Sequence, residues 1–202
     1  MSEIKINIAD TIDFWNWFSE NQNEFGKHFE NQSLLKELDL RITSLGDFSW
    51  EVGPGSKKPN ALVISPGGHI ELLKVTKEII DLAPDFIEWE FHHAKPPKVW
   101  DLKFSIQDEN ENEIEIDAND WQYVLLKYPD NKFEIILAAA QMQHLSEESK
   151  HLAAEIVLDG LLGEQKRMEL IDVIDVVRQF EDNHKGKAGS IVNLLKHLDK
   201  LI

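Results

Sequence analysis

Ser65-Pro66-Gly67-Gly68-His69 follows an alternating apolar stretch and runs into residues of helical spacing. Two glycines at a strand-to-helix turn can aim backbone N–H groups at an anion, as a phosphate loop does. The supporting residues are missing. No Gly-Lys-Ser/Thr follows to bring a cation, no third glycine completes a dinucleotide fingerprint, and Pro66 has no N–H to donate. Gly67, Gly68 and His69 therefore read first as a sharp turn with His69 near a helix N-cap, and second as an anion-binding site.

A second group lies on alternating strands. Glu88, Glu90 and His92 oppose Ile87, Trp89 and Phe91, and Glu51 opposes Trp50. If the strands carrying Glu51 and Glu90 are neighbours, carboxylates and an imidazole could converge as a metal site or an acid–base pair. The competing reading is a solvated face of an antiparallel sheet, which carries charges as a matter of course. His92 and His93 would point to opposite faces and match no zinc spacing.

His144, Glu148, His151 and Glu155 make one helical stripe containing Glu148-x-x-His151, but a di-metal carboxylate site needs two such pairs and two further glutamates. Ser65 lacks the Gly-x-Ser-x-Gly elbow of a hydrolase nucleophile, since Val63 stands two residues before it. No catalytic residue, metal ligand set or cofactor is expected from these patterns. Lys57 with Lys58, and Lys95 with Lys98, are the few locally basic spots, and an anionic ligand would gain plausibility if they met.

The elements that must position these residues change period along the chain. Ile4, Ile6 and Ile8 suit a short strand or an extended arm, with Asp10 or Thr11 capping a helix that carries Phe14, Phe18, Phe25 and Phe29. Leu35, Leu38, Ile42 and Leu45 predict a second helix ending near Gly46. Strands are expected around Phe48–Val52 and Leu62–Ile64, across the loop "GPGSKKPN", and at Ile87–Phe91. A helix with Leu72, Leu73, Thr76, Ile79 and Ile80 stops at "DLAPD". Two hairpins follow, 102–107 with 113–117 and 121–128 with 132–139, the second turning at Asn131. A helix runs from Ser146 to about Leu158, "MELIDVIDVV" has helical spacing at Leu170, Val173, Ile174 and Val177 but a β-branched content that favours a strand, and a helix capped by Ser190 completes the chain. The expected fold is α+β, a mainly antiparallel sheet of about six or seven strands with helices packed on one face. One domain is expected over 1–202, two small domains being the alternative, with a helical segment 10–46, a sheet-containing core 47–180 and a C-terminal helix 190–202.

Composition narrows the function. The chain has 202 residues, 21 Lys+Arg against 37 Asp+Glu, a net charge of −16 and no cysteine. Its field repels phosphate backbones and anionic lipid, so nucleic acid and membrane surfaces are poor partners. Disulfides and thiolate chemistry are excluded, and no apolar run approaches the roughly 20 residues of a membrane span. A cytoplasmic location is expected. Of six tryptophans, Trp50, Trp89 and Trp121 read as core, while Trp100, and Trp15 or Trp17, are candidates for an exposed partner surface. With the acidity, they suggest a basic protein partner.

At "WEVGPG", "NALVISPGGHIELL", "WEFHHAKPPKVW" and "LLGE" the sequence resembles an uncharacterised family of bacterial proteins, over residues 48 to about 165. The helix 146–158 followed by "LDGLLGE" and a β-branched strand resembles domains related to the regulator of ribonuclease activity B. That resemblance implies a ferredoxin-like α/β arrangement and action by binding a protein. The expectation is a non-enzymatic interaction or regulatory protein of inhibitor or immunity type. The alternative is a small-ligand or metal-binding enzyme using a cleft around Gly67, Gly68, His69, Glu51, Glu90 and His92.

Overall fold

The computed structural model describes residues 5–26 and 28–202, so Ile4 of the expected arm lies outside the described residues. The chain is α+β, with seven α-helices and nine strands among the described residues. The chain divides into two compact units, Met1–Lys95 and Pro96–Ile202. The segment read as one core, 47–180, thus contributes to both.

In the first unit, α1 (Ile8–Asn21) starts earlier than expected because Asn7 caps it, its side chain accepting the Ala9 N–H at 3.1 Å. Asp10 and Thr11 lie inside the helix. Phe25 is buried from the loop beyond α1 and not from its face. α2 (Gln32–Leu45) is capped by Asn31 and ends at Gly46, as its spacing predicts. β1 (Ser49–Pro54) pairs antiparallel with β2 (Asn60–Ser65). A 3-10 turn (Ile70–Leu72) leads into α3 (Leu73–Asp81), which returns the chain to β3 (Trp89–His92), parallel to β2. Ile87 is outside the strand and 93% exposed, because β2 begins at Asn60, opposite Trp89, and offers Ile87 no backbone partner.

One face of this sheet is apolar. Leu62, Ile64 and Trp89 pack against Phe14, Trp15 and Phe18 of α1, Leu38 and Ile42 of α2, and Val75 and Ile79 of α3. Aromatic edges meet aromatic faces there, Phe18 lying 4.9 Å from Trp89 between centroids at 85°.

In the second unit, β4 (Lys103–Gln107) and β5 (Glu113–Asp117) form a two-stranded sheet. β6 (Gln122–Lys127) and β7 (Phe133–Ala138) make the second hairpin, turning at Asn131 with φ +64° as its residue type suggests. α4 (Glu147–Leu162) is capped by Ser146, and Gly163 at φ +80° separates it from α5 (Glu164–Leu170). β8 (Ile171–Val177) then runs parallel to β7. The stretch "MELIDVIDVV" is thus strand only from Ile171. A short α6 (Asp182–Lys185), β9 (Gly189–Ser190) and α7 (Leu194–Leu198) follow, β9 closing the sheet order β8-β7-β6-β9. The C-terminal helix is shorter than 190–202, and Ser190 makes no capping bond. Ala153, Ala154, Val157 and Leu158 of α4 cover the inner face formed by Tyr123, Phe133, Ile135 and Leu137.

The single sheet expected is instead three, of three, two and four strands. Helical crossovers after β2 and after β7 return the chain parallel, which a tight hairpin cannot do. No helix among the described residues is long and apolar enough to cross a membrane.

Candidate functional site

The first candidate lies at the end of β2. Ser65 is buried, and its hydroxyl accepts the Gly67 N–H at 3.0 Å. The His69 N–H donates to the Pro66 carbonyl at 3.2 Å, closing a turn whose central residues have φ +62° and +84°. Only glycine takes two such dihedrals in succession without strain, which is why this turn is Gly67-Gly68. The amides of Gly67 and His69 are consumed by the turn itself and do not converge on an outside anion. The His69 imidazole is 62% exposed and lies 3.7 Å from Glu71. It occupies the N-cap position of the 3-10 turn but makes no capping bond.

The second candidate is the sheet face opposite the aromatic core. The register sets Glu51 beside Val63 and Val63 beside His92, and in the next row Gly53, Ala61 and Glu90. Glu51, Glu90 and His92 therefore share a face. The strands carrying Glu51 and Glu90 are not neighbours, because β2 separates them by two strand spacings, roughly 10 Å. Glu51 lies 3.7 Å from Lys95.

Glu90 has a different occupation. Its Oε1 accepts the Ser56 N–H at 2.8 Å and the Ser56 hydroxyl at 3.0 Å, and its Oε2 accepts the N–H groups of Lys57 at 2.7 Å and Lys58 at 2.9 Å. His92 Nε2 adds a contact to Oε1 at 3.1 Å. Burial alone would raise this carboxyl, yet the Ser56 amide, the His92 ring and the amides of Lys57 and Lys58 outweigh it and hold it far below the ordinary carboxylate range. The side chain is only 10% exposed. The loop "GPGSKKPN" closes tightly around it: a Cβ on Gly55 would come within 2.4 Å of the Lys58 carbonyl oxygen. The Lys58 ammonium is engaged by Asp85 at 3.0 Å and by the Phe86 carbonyl. Glu90 organises a loop with all of its acceptor capacity, a role that sequence inspection missed. The signal for it was a carboxylate between two core aromatics on a strand.

The stripe on α4 also dissolves into structure. His144 precedes the helix, and Glu155 joins Asp159 in holding Arg167, at 3.0 and 2.5 Å. Among the described residues no three His, Asp or Glu side chains are grouped to hold a metal ion.

The tryptophan surface needs correction. Trp15 is 2% exposed, and its indole donates to the Ile79 carbonyl at 2.9 Å, so it belongs to the core. Trp17 is half-buried under the Arg41 guanidinium, 4.8 Å from its ring centroid. Trp100 lies against Gly160 of α4 and beside Phe104, at 5.7 Å between centroids.

What stands exposed instead is charge. Residues 101–120 hold eight Asp or Glu and one Lys. On β4 and β5, Phe104, Ile106, Ile114 and Ile116 face the core, while Lys103, Ser105 and Gln107 oppose Asp117, Glu115 and Glu113 on the exposed face. Lys103 approaches Asp117 at 3.3 Å and Ser105 donates to Glu113 at 2.7 Å. In comparisons with family models, curated proteins and solved structures, nothing matches the chain.

Proposed function

We propose that this protein works by binding another protein, a basic one, and not by catalysis. The observation that carries the reading is the state of Glu90. The best-placed carboxylate for acid–base or metal chemistry is filled by three backbone amides, a hydroxyl and an imidazole. His69 faces solvent, and Glu51 is two strands away from Glu90 and His92. General acid–base work needs a group with a free lone pair or proton and a pKa near the operating pH, which Glu90 lacks. The net charge of −16 favours a cationic partner and disfavours nucleic acid. The resemblance to domains that act by binding a protein points the same way, and we place that encounter in the cytoplasm.

Affinity capture with the full chain from the source cells tests this. The expected result is a stoichiometric basic protein that is released as salt is raised. Recovery of no stoichiometric partner, together with a saturable shift in melting temperature produced by a small ligand or a divalent metal, would overturn it.

A further inference from the structure

The edge of β5 offers a place for that partner, and this inference rests on the binding reading above. The Asp108 N–H donates to the Asn112 carbonyl and the Ala118 N–H to the Leu102 carbonyl, so the hydrogen-bonded pairs of the β4–β5 ladder are the even-numbered residues. In an antiparallel pair the alternate residues turn their N–H and C=O groups away from the partner strand. Those residues on β5 are Glu113, Glu115 and Asp117. The Asp117 carbonyl is taken by the Gln141 side chain at 3.0 Å. The outward backbone groups of Glu113 and Glu115 meet no acceptor or donor among the described residues. β5 pairs with β4 alone, and no strand among the described residues lies on its other side.

Open edges are a hazard that folds normally blunt with prolines, bulges or charge. β1 ends in Pro54, and β8 carries an irregularity at Asp172 in its pairing with β7. β5 has no proline and no irregularity in its pairing with β4, and is marked by charge alone. It has carboxylates at the two positions whose backbone is open, and one of them, Glu115, borders a hollow of about 520 Å³ with Lys103, Ser105 and Asp117.

We infer that β5 is a docking strand, accepting by strand addition an extended segment of another protein with Lys or Arg at alternate positions. Main-chain hydrogen bonds to Glu113 and Glu115 would supply the geometry. Residues opposite them emerge on the exposed face beside two carboxylates, where cross-strand charge pairs attract and like charges repel. The residue between them points to the Ile114 and Ile116 side, so the recognised pattern is cation, apolar, cation. A second copy of this chain is a poor occupant, since β5 against β5 sets glutamate against glutamate.

The test uses the full-length ¹⁵N-labelled protein and a synthetic peptide of alternating Lys and Val. Binding is expected to shift the amides of Glu113 and Glu115, to slow their hydrogen exchange and to weaken as salt rises. The double variant E113K/E115K should bind at least about tenfold more weakly. The control E20K/E181K, with the same change in net charge, should bind like the wild type. A peptide N-methylated at alternate residues keeps its charge but cannot add as a strand, and should not bind. Equal losses in both double variants, full binding of the N-methylated peptide, or unmoved β5 amides at saturation would each overturn the proposal. Mapping on the wild type stands even if E113K/E115K misfolds. A stoichiometric partner that is captured but leaves β5 unshifted sinks the docking strand alone. No captured partner, together with a saturable shift produced by a small ligand or metal, sinks the binding reading as well.

Discussion

Glu90 accepts the backbone N–H of Lys57 at 2.7 Å, a bond that joins positions 33 residues apart in sequence. It anchors the β1–β2 loop to β3, on the far side of the sheet's central strand. Glu90 and His92, candidates for an acid–base pair, hold the loop in place.

Replacing Glu90 by Gln removes the charge and two acceptor sites while keeping the shape. Hydrogen bonds to charged groups contribute about 1.5–3 kcal/mol each at most, and partial retention by the amide makes a net loss of about 2 kcal/mol the expectation. Urea unfolding followed by tryptophan fluorescence measures it.

The same carboxyl gives a pH signature. Its folded-state pKa lies below the ordinary value of 4.5, so the folded state binds its proton less readily than the unfolded state. Its contribution is complete above about 4.5 and declines as pH falls below that value toward the lower folded pKa. Glu30, Asp108 and Asp117 are also held low, chiefly by hydrogen bonds from His28, Asn112 and Asn119, and they titrate in both proteins. The stability difference between wild type and E90Q should therefore shrink on acidification. A difference independent of pH between 6 and about 3 would contradict this account.

Trp15 and Trp17 should behave differently although they are two residues apart. Trp15→Phe leaves the Ile79 carbonyl without its donor and opens a void, a loss of about 2–3 kcal/mol. Trp17→Phe costs about 0.5–1 kcal/mol, the worth of a partly exposed cation–π contact with Arg41. Similar losses at both positions in chemical denaturation would contradict the assignment of only Trp15 to the core.

Gly160 sits inside α4, where alanine would ordinarily stabilise by close to 1 kcal/mol. A Cβ there would come within 2.5 Å of the Trp100 ring. Overpacking dominates, and Gly160→Ala should destabilise by about 1–3 kcal/mol, with a change in Trp100 emission. A more stable variant would show that the indole has room to move.

Arg167 is 8% exposed between Glu155 and Asp159. Removing one member of a largely buried ion pair leaves charge uncompensated, so Arg167→Ala should cost about 3 kcal/mol and Arg167→Lys less. Thermal and urea unfolding of both variants give the comparison. Equal losses would indicate that charge alone restores nothing and that the guanidinium fork bridging Glu155 and Asp159 carries the whole effect.

The hairpins and most helix starts were legible because their signals are local. Alternation at 102–107 and 113–117, Asn131 in the left-handed region, Ser146 as a cap and Gly46 as a stop each act over a few residues. Asn7 was missed as the α1 cap because Asp10 and Thr11 are equally good capping types and only backbone geometry separates them. Trp15 and Trp17 were indistinguishable for a related reason. Both suit an amphipathic helix, and which one turns inward depends on where the sheet lies.

By itself the sequence determined the α+β class, the two hairpins, the acidity, the absence of thiol chemistry and the glycine requirement at 67–68, all consequences of residue type or short-range periodicity. Only the tertiary structure decided that β3 lies parallel to β2 and β8 parallel to β7, that the strands divide among three sheets, and that Glu90 closes over Ser56–Lys58. These are long-range pairings. Many partners of similar local propensity compete for each strand edge and each carboxylate, and the choice among them is made by the burial of the whole core.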